Sequence, residues 1–78
     1  MSDSDDIVKV DARGLACPEP LMLAKSAMNR AGGKTVEVTV DTETAKGNIV
    51  RLAGREGRDV VTLAEGGAII VRISGKKA

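Results

Sequence analysis

The stretch Arg13-Gly14-Leu15-Ala16-Cys17-Pro18-Glu19-Pro20 contains the only cysteine and both prolines of the 78-residue chain. It lies between an apolar, strand-like run and a run with helical periodicity. Proline has no N–H group and fits the first turn of a helix, where that group would have no partner. We therefore predict a strand that ends before this stretch and a helix that starts inside it. In this prediction Cys17 is the N-cap, Pro18 is the first helical residue and Pro20 is the third.

This placement of Cys17 favours a reactive thiol. The N-terminus of a helix has unpaired N–H donors and a partial positive charge, and both stabilise a thiolate. The alternative is a buried apolar residue, which is the usual state of a lone cysteine. Serine, threonine, aspartate or asparagine would be better caps if capping were the only role. A cysteine directly before Pro-Glu-Pro therefore indicates chemistry, and we take Cys17 as the candidate catalytic residue.

Five neighbours of Cys17 are candidate supporting residues: Arg13, Gly14, Pro18, Glu19 and Pro20. The prolines stiffen the turn, and Gly14 can adopt a positive φ. Arg13 and Lys46 could add positive charge near the thiol, although a solvated surface charge explains each of them equally well.

Composition limits the classes of protein that the chain can be. Its length fits one small domain, and with no phenylalanine, tyrosine or tryptophan the core must be aliphatic. One cysteine and no histidine exclude an internal disulfide and argue against a metal site, and we expect no cofactor. The net charge of +1 does not indicate nucleic-acid binding. The acidic N-terminus lacks a signal-peptide pattern and no run is long enough to span a membrane, so we expect a cytoplasmic protein.

Apolar periodicity predicts six elements in the order β-α-β-α-β-β. The predicted strands cover residues 6–11, 35–41, 59–64 and 68–73, and the predicted helices cover residues 18–31 and 43–55. We expect residues 1–5 to be disordered and residues 6–75 to form a single domain. Thr42 is the predicted N-cap of the second helix, Val61 and Leu63 should share one face of the third strand, and residues 65–67 should form a hairpin turn. Gly47 costs about 1 kcal/mol inside a helix, and close packing or a backbone contact is the only explanation that the sequence offers.

These elements predict an α/β two-layer sandwich, with two helices on one face of a four-stranded mixed sheet. The first two strands should be parallel, joined by a right-handed crossover, and the last two should form an antiparallel hairpin. Both helices would then begin at the same edge of the sheet, where α/β proteins place their sites. We expect residues 12–20 and 41–46 to line this edge, with Cys17 in the middle.

The motif Cys17-Pro18-Glu19-Pro20, preceded by residues 11–16 and followed by Lys25 and Met28, resembles the Cys-Pro-x-Pro signature of the TusA/SirA family of sulfur carriers. The resemblance covers residues 6–75. Residues 40–48 are similar to the YedF-like branch, which is linked to selenium metabolism. The resemblance implies a fold similar to the C-terminal domain of bacterial translation initiation factor three.

The resemblance also implies a function. The family's cysteine, matched here by Cys17, accepts a sulfane sulfur as a persulfide and passes it to a partner, which would make the protein a protein-to-protein sulfurtransferase. The donor would be a cysteine desulfurase or a rhodanese-type protein, and the acceptor would be a protein with a reactive cysteine. Branches of the family serve tRNA thiolation, sulfur oxidation or molybdenum-cofactor maturation. Pro18 and Pro20 match the motif prolines, whereas Glu19 occupies its variable position.

Two other functions remain open from the sequence. The same fold could handle selenium or act as a regulatory adaptor. It could also be a non-enzymatic RNA- or ribosome-binding module, because the second helix has a basic face that comprises Lys46, Arg51 and Arg55, with Arg58 just beyond. The absence of aromatic residues that could stack on bases argues against RNA, so we expect no direct nucleic-acid contact. We also expect no membrane association and a monomer.

Overall fold

The computed structural model describes residues 7–16 and 18–75. The six elements occur in the predicted order, with these bounds: β1 Ile7–Asp11, α1 Glu19–Ala31, β2 Thr35–Val40, α2 Glu43–Arg55, β3 Val60–Glu65 and β4 Ala68–Ile73. Each predicted boundary lies within one residue of the observed one, apart from the start of the first strand at residue 6, which lies outside the described residues. The expected disorder of residues 1–5 also lies outside them.

The sheet has four strands in the order β1-β2-β4-β3. β1 and β2 are parallel, with Val8 opposite Val36 and Val10 opposite Val38. β4 runs antiparallel to both β2 and β3. The sheet is therefore mixed, as predicted, and its parallel pair places the C-terminal ends of β1 and β2 next to each other.

One face of the sheet packs against both helices, and this layer forms the core. β2 shows the cause most clearly, because its alternating sequence places three valines towards the helices and leaves Glu37 and Thr39 on the other face. The buried core residues are all aliphatic, alanine or methionine: Ala12, Ala24, Ala27, Met28, Ala31, Val36, Val38, Val40, Ile49, Leu52, Ala53, Val71 and Ile73. The two-layer α/β sandwich predicted from the sequence is confirmed.

β3 departs from the expectation that apolar strand residues face the core. Val61 and Leu63 do share a face, but the side chains are 55% and 47% exposed. They pair with Arg72 and Ile70 on the sheet face that no helix covers. Because β3 is an edge strand, only its first residue, Val60, packs against the core. The alternation showed which residues share a face, and the position of the helices decided which face is buried.

Local signals set the remaining boundaries. The Thr42 hydroxyl accepts a hydrogen bond from the Ala45 N–H at 3.1 Å, which confirms Thr42 as the N-cap of α2. Gly66 and Gly67 both have positive φ and close the β3–β4 hairpin between Glu65 and Ala68.

Candidate functional site

The loops that follow β1 and β2 lie against each other at one edge of the sheet. The Ala12 N–H donates to the Thr39 carbonyl at 2.8 Å, which extends the parallel pairing beyond β1. The Gly14 N–H donates to Asp41 Oδ2 at 2.9 Å, and Gly14 has a φ of 79°. Because few other residues adopt this φ without strain, glycine allows the N–H to point at the carboxylate. The segment that leads into the Cys-Pro-Glu-Pro motif is thus fixed to the start of α2.

The start of α1 differs from the prediction by one residue. Pro18 is the N-cap, with φ −103° and ψ 21°, so Glu19 is the first helical residue and Pro20 the second. The prediction that Cys17 is the N-cap was wrong. The Glu19 N–H donates to the Ala16 carbonyl at 2.8 Å, and this turn precedes the first helical hydrogen bond, from Met22 N–H to the Pro18 carbonyl at 3.0 Å. The Glu19 N–H, one of the donors at the start of α1, therefore already has a partner.

Cys17 itself lies outside the described residues, so its neighbours define the site. A pocket of ≈ 190 Å³ opens between the first turns of the two helices. Its walls include Ala16 and Pro18, which flank Cys17 in the chain. The complete lining is Leu15, Ala16, Pro18, Pro20, Leu21, Thr42, Thr44, Ala45 and Asn48. The N-terminal ends of α1 and α2 therefore meet at one edge of the sheet, and described residues of both predicted ranges, 12–20 and 41–46, line the pocket there. The predicted place of Cys17 in the middle of this edge lies outside the described residues.

Exposed apolar side chains lie on the other side of the motif. Leu15, Met22 and Leu23 are 37%, 63% and 39% exposed, and together with Glu19 they line a shallow depression. Every described residue from Arg13 to Glu19 is exposed. The described residues on either side of Cys17 in the chain are thus at the surface, next to apolar groups that a partner protein could cover.

Arg13 does not line the pocket. Its guanidinium donates two hydrogen bonds of 2.9 Å to the Asp11 carboxylate, and its backbone N–H donates a third to Asp11 Oδ1. These bonds lower the pKa of Asp11 to about 2 and raise the pKa of Arg13. Both side chains are more than half exposed. Arg13 thus stabilises the turn after β1, and its charge is largely balanced by Asp11.

The other predicted cations are also placed away from the pocket. Lys46 Nζ pairs with Glu43 at 2.8 Å and does not line the pocket. Arg58, considered above as part of a basic surface, is buried, and its guanidinium donates to the Met28 and Ser74 carbonyls at 3.5 Å each. It joins the end of α1 to the end of β4 instead of facing solvent, which weakens the case for an RNA-binding surface.

Asn48 is the residue of the site that sequence reasoning missed, because it lines the pocket from α2 beyond the predicted edge of residues 41–46. Asp41 and Thr44 fall within that edge, but their individual roles were not predicted: the Asp41 carboxylate accepts a hydrogen bond from the Gly14 N–H, and Thr44 lines the pocket. The available signal for Asn48 was its spacing of one helical turn from Thr44 and Ala45.

The comparisons with known proteins agree with this geometry. The family model described as Sulfurtransferase TusA matches residues 8–75. The chain belongs to the TusA family. A protein of Bacillus subtilis (strain 168) named "Putative sulfur carrier protein YrkI" is 34% identical over 62 residues, which cover 78% of this chain and 83% of that protein. The crystal structure of a SirA-like protein from Desulfitobacterium hafniense superposes with a TM-score of 0.83 at 32% identity, covering 90% of this chain and 99% of that one.

Membership of the TusA family makes this chain a relative of sulfur carriers, as the sequence motif predicted. The family also implies sulfur donors and acceptors as partners in general. Within the described residues, neither helix has the length and apolar character that crossing a membrane would require.

Proposed function

We propose that the protein is a sulfur carrier that accepts a sulfane sulfur on Cys17 and passes it to an acceptor protein. The observation that carries this proposal is the convergence of two helix N-termini at a pocket whose walls include Ala16 and Pro18, the exposed neighbours of Cys17 in the chain. The helix ends favour a thiolate, and the exposure allows a partner cysteine to approach. The Cys-Pro-Glu-Pro motif and the TusA family match support the same role.

The chemistry needs no cofactor or external oxidant. The Cys17 thiolate attacks the outer sulfur of a donor persulfide, a new S–S bond forms on Cys17, and the donor's own S–S bond breaks. The donor leaves as a thiolate, so the sulfane sulfur moves without net oxidation or reduction. An acceptor thiolate then repeats the same step on the Cys17 persulfide. A cysteine desulfurase or a rhodanese-type protein fits as the donor, and the reducing cytoplasm, where thiols remain available, fits as the compartment.

Pro18, as the N-cap, and Pro20, in the first turn, are proposed to hold the start of α1 in place. Glu19 is exposed beside the apolar depression and is proposed to contact the partner, not the sulfur. Gly14 and Arg13 are proposed to shape the turn through their bonds to Asp41 and Asp11.

A relay assay tests the proposal. The protein is loaded with labelled sulfur from a cysteine desulfurase and free cysteine, separated from the donor, and mixed with an acceptor protein that has one reactive cysteine. We expect label to move to the acceptor in proportion to the amount loaded. Label that stays on the carrier, or that moves equally well from Cys17→Ser, would exclude the relay. If the loaded mass corresponds to selenium when the desulfurase is supplied with selenocysteine, and nothing is loaded when it is supplied with cysteine, the selenium function replaces the sulfur function.

A further inference from the structure

β3 is an edge strand without the features that usually protect such a strand from pairing with another chain. Its residues pair with β4 without interruption from Val60 to Glu65, so no bulge bends it. Its first five residues, Val-Val-Thr-Leu-Ala, include no proline and no charge. The opposite edge of the sheet differs, because β1 includes Lys9 and Asp11, both of them exposed. Charges of this kind discourage strand pairing, and β3 has one only at its last residue.

The outer edge of β3 presents backbone donors and acceptors. The Ser74 N–H donates to the Asp59 carbonyl at 2.9 Å, which continues the antiparallel register one residue before β3. Because hydrogen-bonded pairs alternate along an antiparallel ladder, every second residue from 59 onwards directs its backbone groups at β4. Val60, Thr62 and Ala64 therefore direct theirs to the outer side, where the described part of the chain places no strand.

Exposed apolar side chains accompany these backbone groups. Val61 and Leu63 lie on the face of the sheet that no helix covers, and Ile70, which pairs with Leu63 from β4, is half-buried beside them. On the helix side, Thr62 and Ala64 are exposed, so α2 does not cover the edge. A strand added to β3 would therefore gain hydrogen bonds and cover an apolar surface at the same time.

The sequence of β3 is complementary to a second copy of itself. In an antiparallel pair with the two-fold axis at Thr62, Val61 of each copy lies opposite Leu63 of the other copy. On the helix side, Val60 lies opposite the small Ala64. All three outward-facing residues then exchange backbone hydrogen bonds with the other copy, and each exposed apolar side chain on the open face contacts one from the other copy.

The charged residues that flank this segment favour an axis at Thr62. An axis at Leu63 would place Val61 opposite Glu65, and an axis at Val61 would place Leu63 opposite Asp59. Either shift sets a carboxylate against an apolar side chain. With the axis at Thr62, the carboxylates instead lie opposite each other at the two ends of the segment, where water and salt screen their repulsion.

We propose that two copies of the protein associate through β3, which joins their four-stranded sheets into one continuous sheet. The net charge of +1 gives no strong repulsion between copies. Only the five residues 60–64 of each copy pair, whereas a stable interface has roughly 20–30 residues on each side. The dimer is therefore weak, with a dissociation constant on the order of 100 µM. The monomer expected from the sequence is then the state of the dilute protein.

This association leaves the candidate functional site open. β4 is antiparallel to both β2 and β3, so β3 runs in the same direction as β1 and β2. The two-fold axis reverses that direction in the second copy. The two pockets at the helix N-termini then open at opposite ends of the joined sheet, and Cys17 takes no part in the association.

Sedimentation equilibrium under reducing conditions, from about 10 µM to about 1 mM protein, tests the association. Leu63→Lys places a charge on the paired segment, and Met22→Lys makes the same kind of change at an exposed apolar residue of α1. Because each contact occurs twice in a two-fold interface, we expect Leu63→Lys to raise the dissociation constant at least about tenfold. Met22→Lys and Cys17→Ser should leave it unchanged.

Thr62→Pro tests the backbone pairing separately. Since the Thr62 N–H faces away from β4, proline there removes the hydrogen bonds between the two copies but none within the sheet of one copy. We expect the dimer to be lost while the circular dichroism spectrum is unchanged. If this variant does not fold, Leu63→Lys decides the matter.

Nuclear magnetic resonance locates the interface. When the wild type is diluted from about 1 mM to about 50 µM, the amide signals of residues 60–64 should shift most. Three results would overturn the proposal: a protein that is monomeric at about 1 mM, an association that is unchanged in Leu63→Lys or lost in Cys17→Ser, and shifts that centre on Met22 and Leu23.

Discussion

Substituting Gly47 by alanine should stabilise the protein. Gly47 is the fifth residue of α2 and does not have a positive φ. A Cβ built on it meets no described atom within 4 Å, so the close packing expected from the sequence is absent there. Alanine should therefore contribute its full advantage in helix propensity, about 1 kcal/mol.

For a domain of this size a gain of about 1 kcal/mol corresponds to a rise in Tm of roughly 4–8 °C. Thermal unfolding followed by circular dichroism at 222 nm measures it, because the signal reports the helices directly. Gly57→Ala is the matched control: Gly57 has a φ of 75°, so alanine there should lower stability by about 1 kcal/mol.

A higher Tm for Gly47→Ala together with a lower Tm for Gly57→Ala would support the reasoning. A lower Tm for Gly47→Ala would refute it. If the variant is more stable but loads sulfur poorly, the glycine is retained for function at a cost in stability.

Three further predictions follow from individual contacts. Asp41→Ala removes the acceptor of the Gly14 N–H, which should lower the free energy of unfolding by about 1 kcal/mol and the sulfur-loading rate several-fold, whereas Asp41→Asn should retain part of the stability and part of the rate. Equal loading rates for the wild type and the two variants would contradict this. The pKa of Asp11 should be about 2 in a carbon-13 NMR titration and should return towards 3.8 in Arg13→Ala. Because folding lowers this pKa, the ion pair stabilises the turn above about pH 4, and this stabilisation is lost as the pH falls towards 2. An Asp11 pKa that is unchanged in Arg13→Ala would exclude the pairing. Arg58→Ala should lower the free energy of unfolding by about 2 kcal/mol in urea titrations, because the buried guanidinium donates to two carbonyl groups. The alkylation rate of Cys17 should not change, since Arg58 does not line the pocket. A change in the free energy of unfolding near zero would show that these carbonyl contacts are not formed.

Local patterns in the sequence predicted most of the fold because the relevant forces are local. Thr-Val-Glu-Val-Thr-Val at residues 35–40 can bury its valines only as a strand, and Thr42 is followed three residues later by the N–H that it caps. The parallel pairing of β1 and β2 then followed from the connection rules, and with it the edge at which the two loops meet.

The features that could not be predicted depend on contacts between distant segments. Arg58 carries a charge that normally indicates a surface position, and it is buried only because the ends of α1 and β4 supply carbonyl acceptors. Val61 and Leu63 are exposed because the helices do not extend over that face of the edge strand.

The start of α1 was misplaced for a different reason. Proline is compatible with both the N-cap region and the first turn, so the sequence did not distinguish Cys17 from Pro18 as the cap. The first helical hydrogen bond, from the Met22 N–H to the Pro18 carbonyl, identifies Pro18 as the cap. The place of Asn48 in the pocket wall was likewise not predicted, because it depends on how the two helices pack and Asn48 lies 31 residues after Cys17 in the chain.

Intact-mass spectrometry under non-reducing conditions tests the central claim most directly. The wild type, Cys17→Ser, and the double variant Cys17→Ser with Ser26→Cys are each incubated with a cysteine desulfurase and cysteine. The double variant keeps one thiol but moves it to an exposed position in the middle of α1. We predict that the wild type alone gains the mass of one sulfur atom, which a reductant removes. Equal gain by the double variant would show that any exposed thiol suffices, and no gain by the wild type would contradict the carrier function.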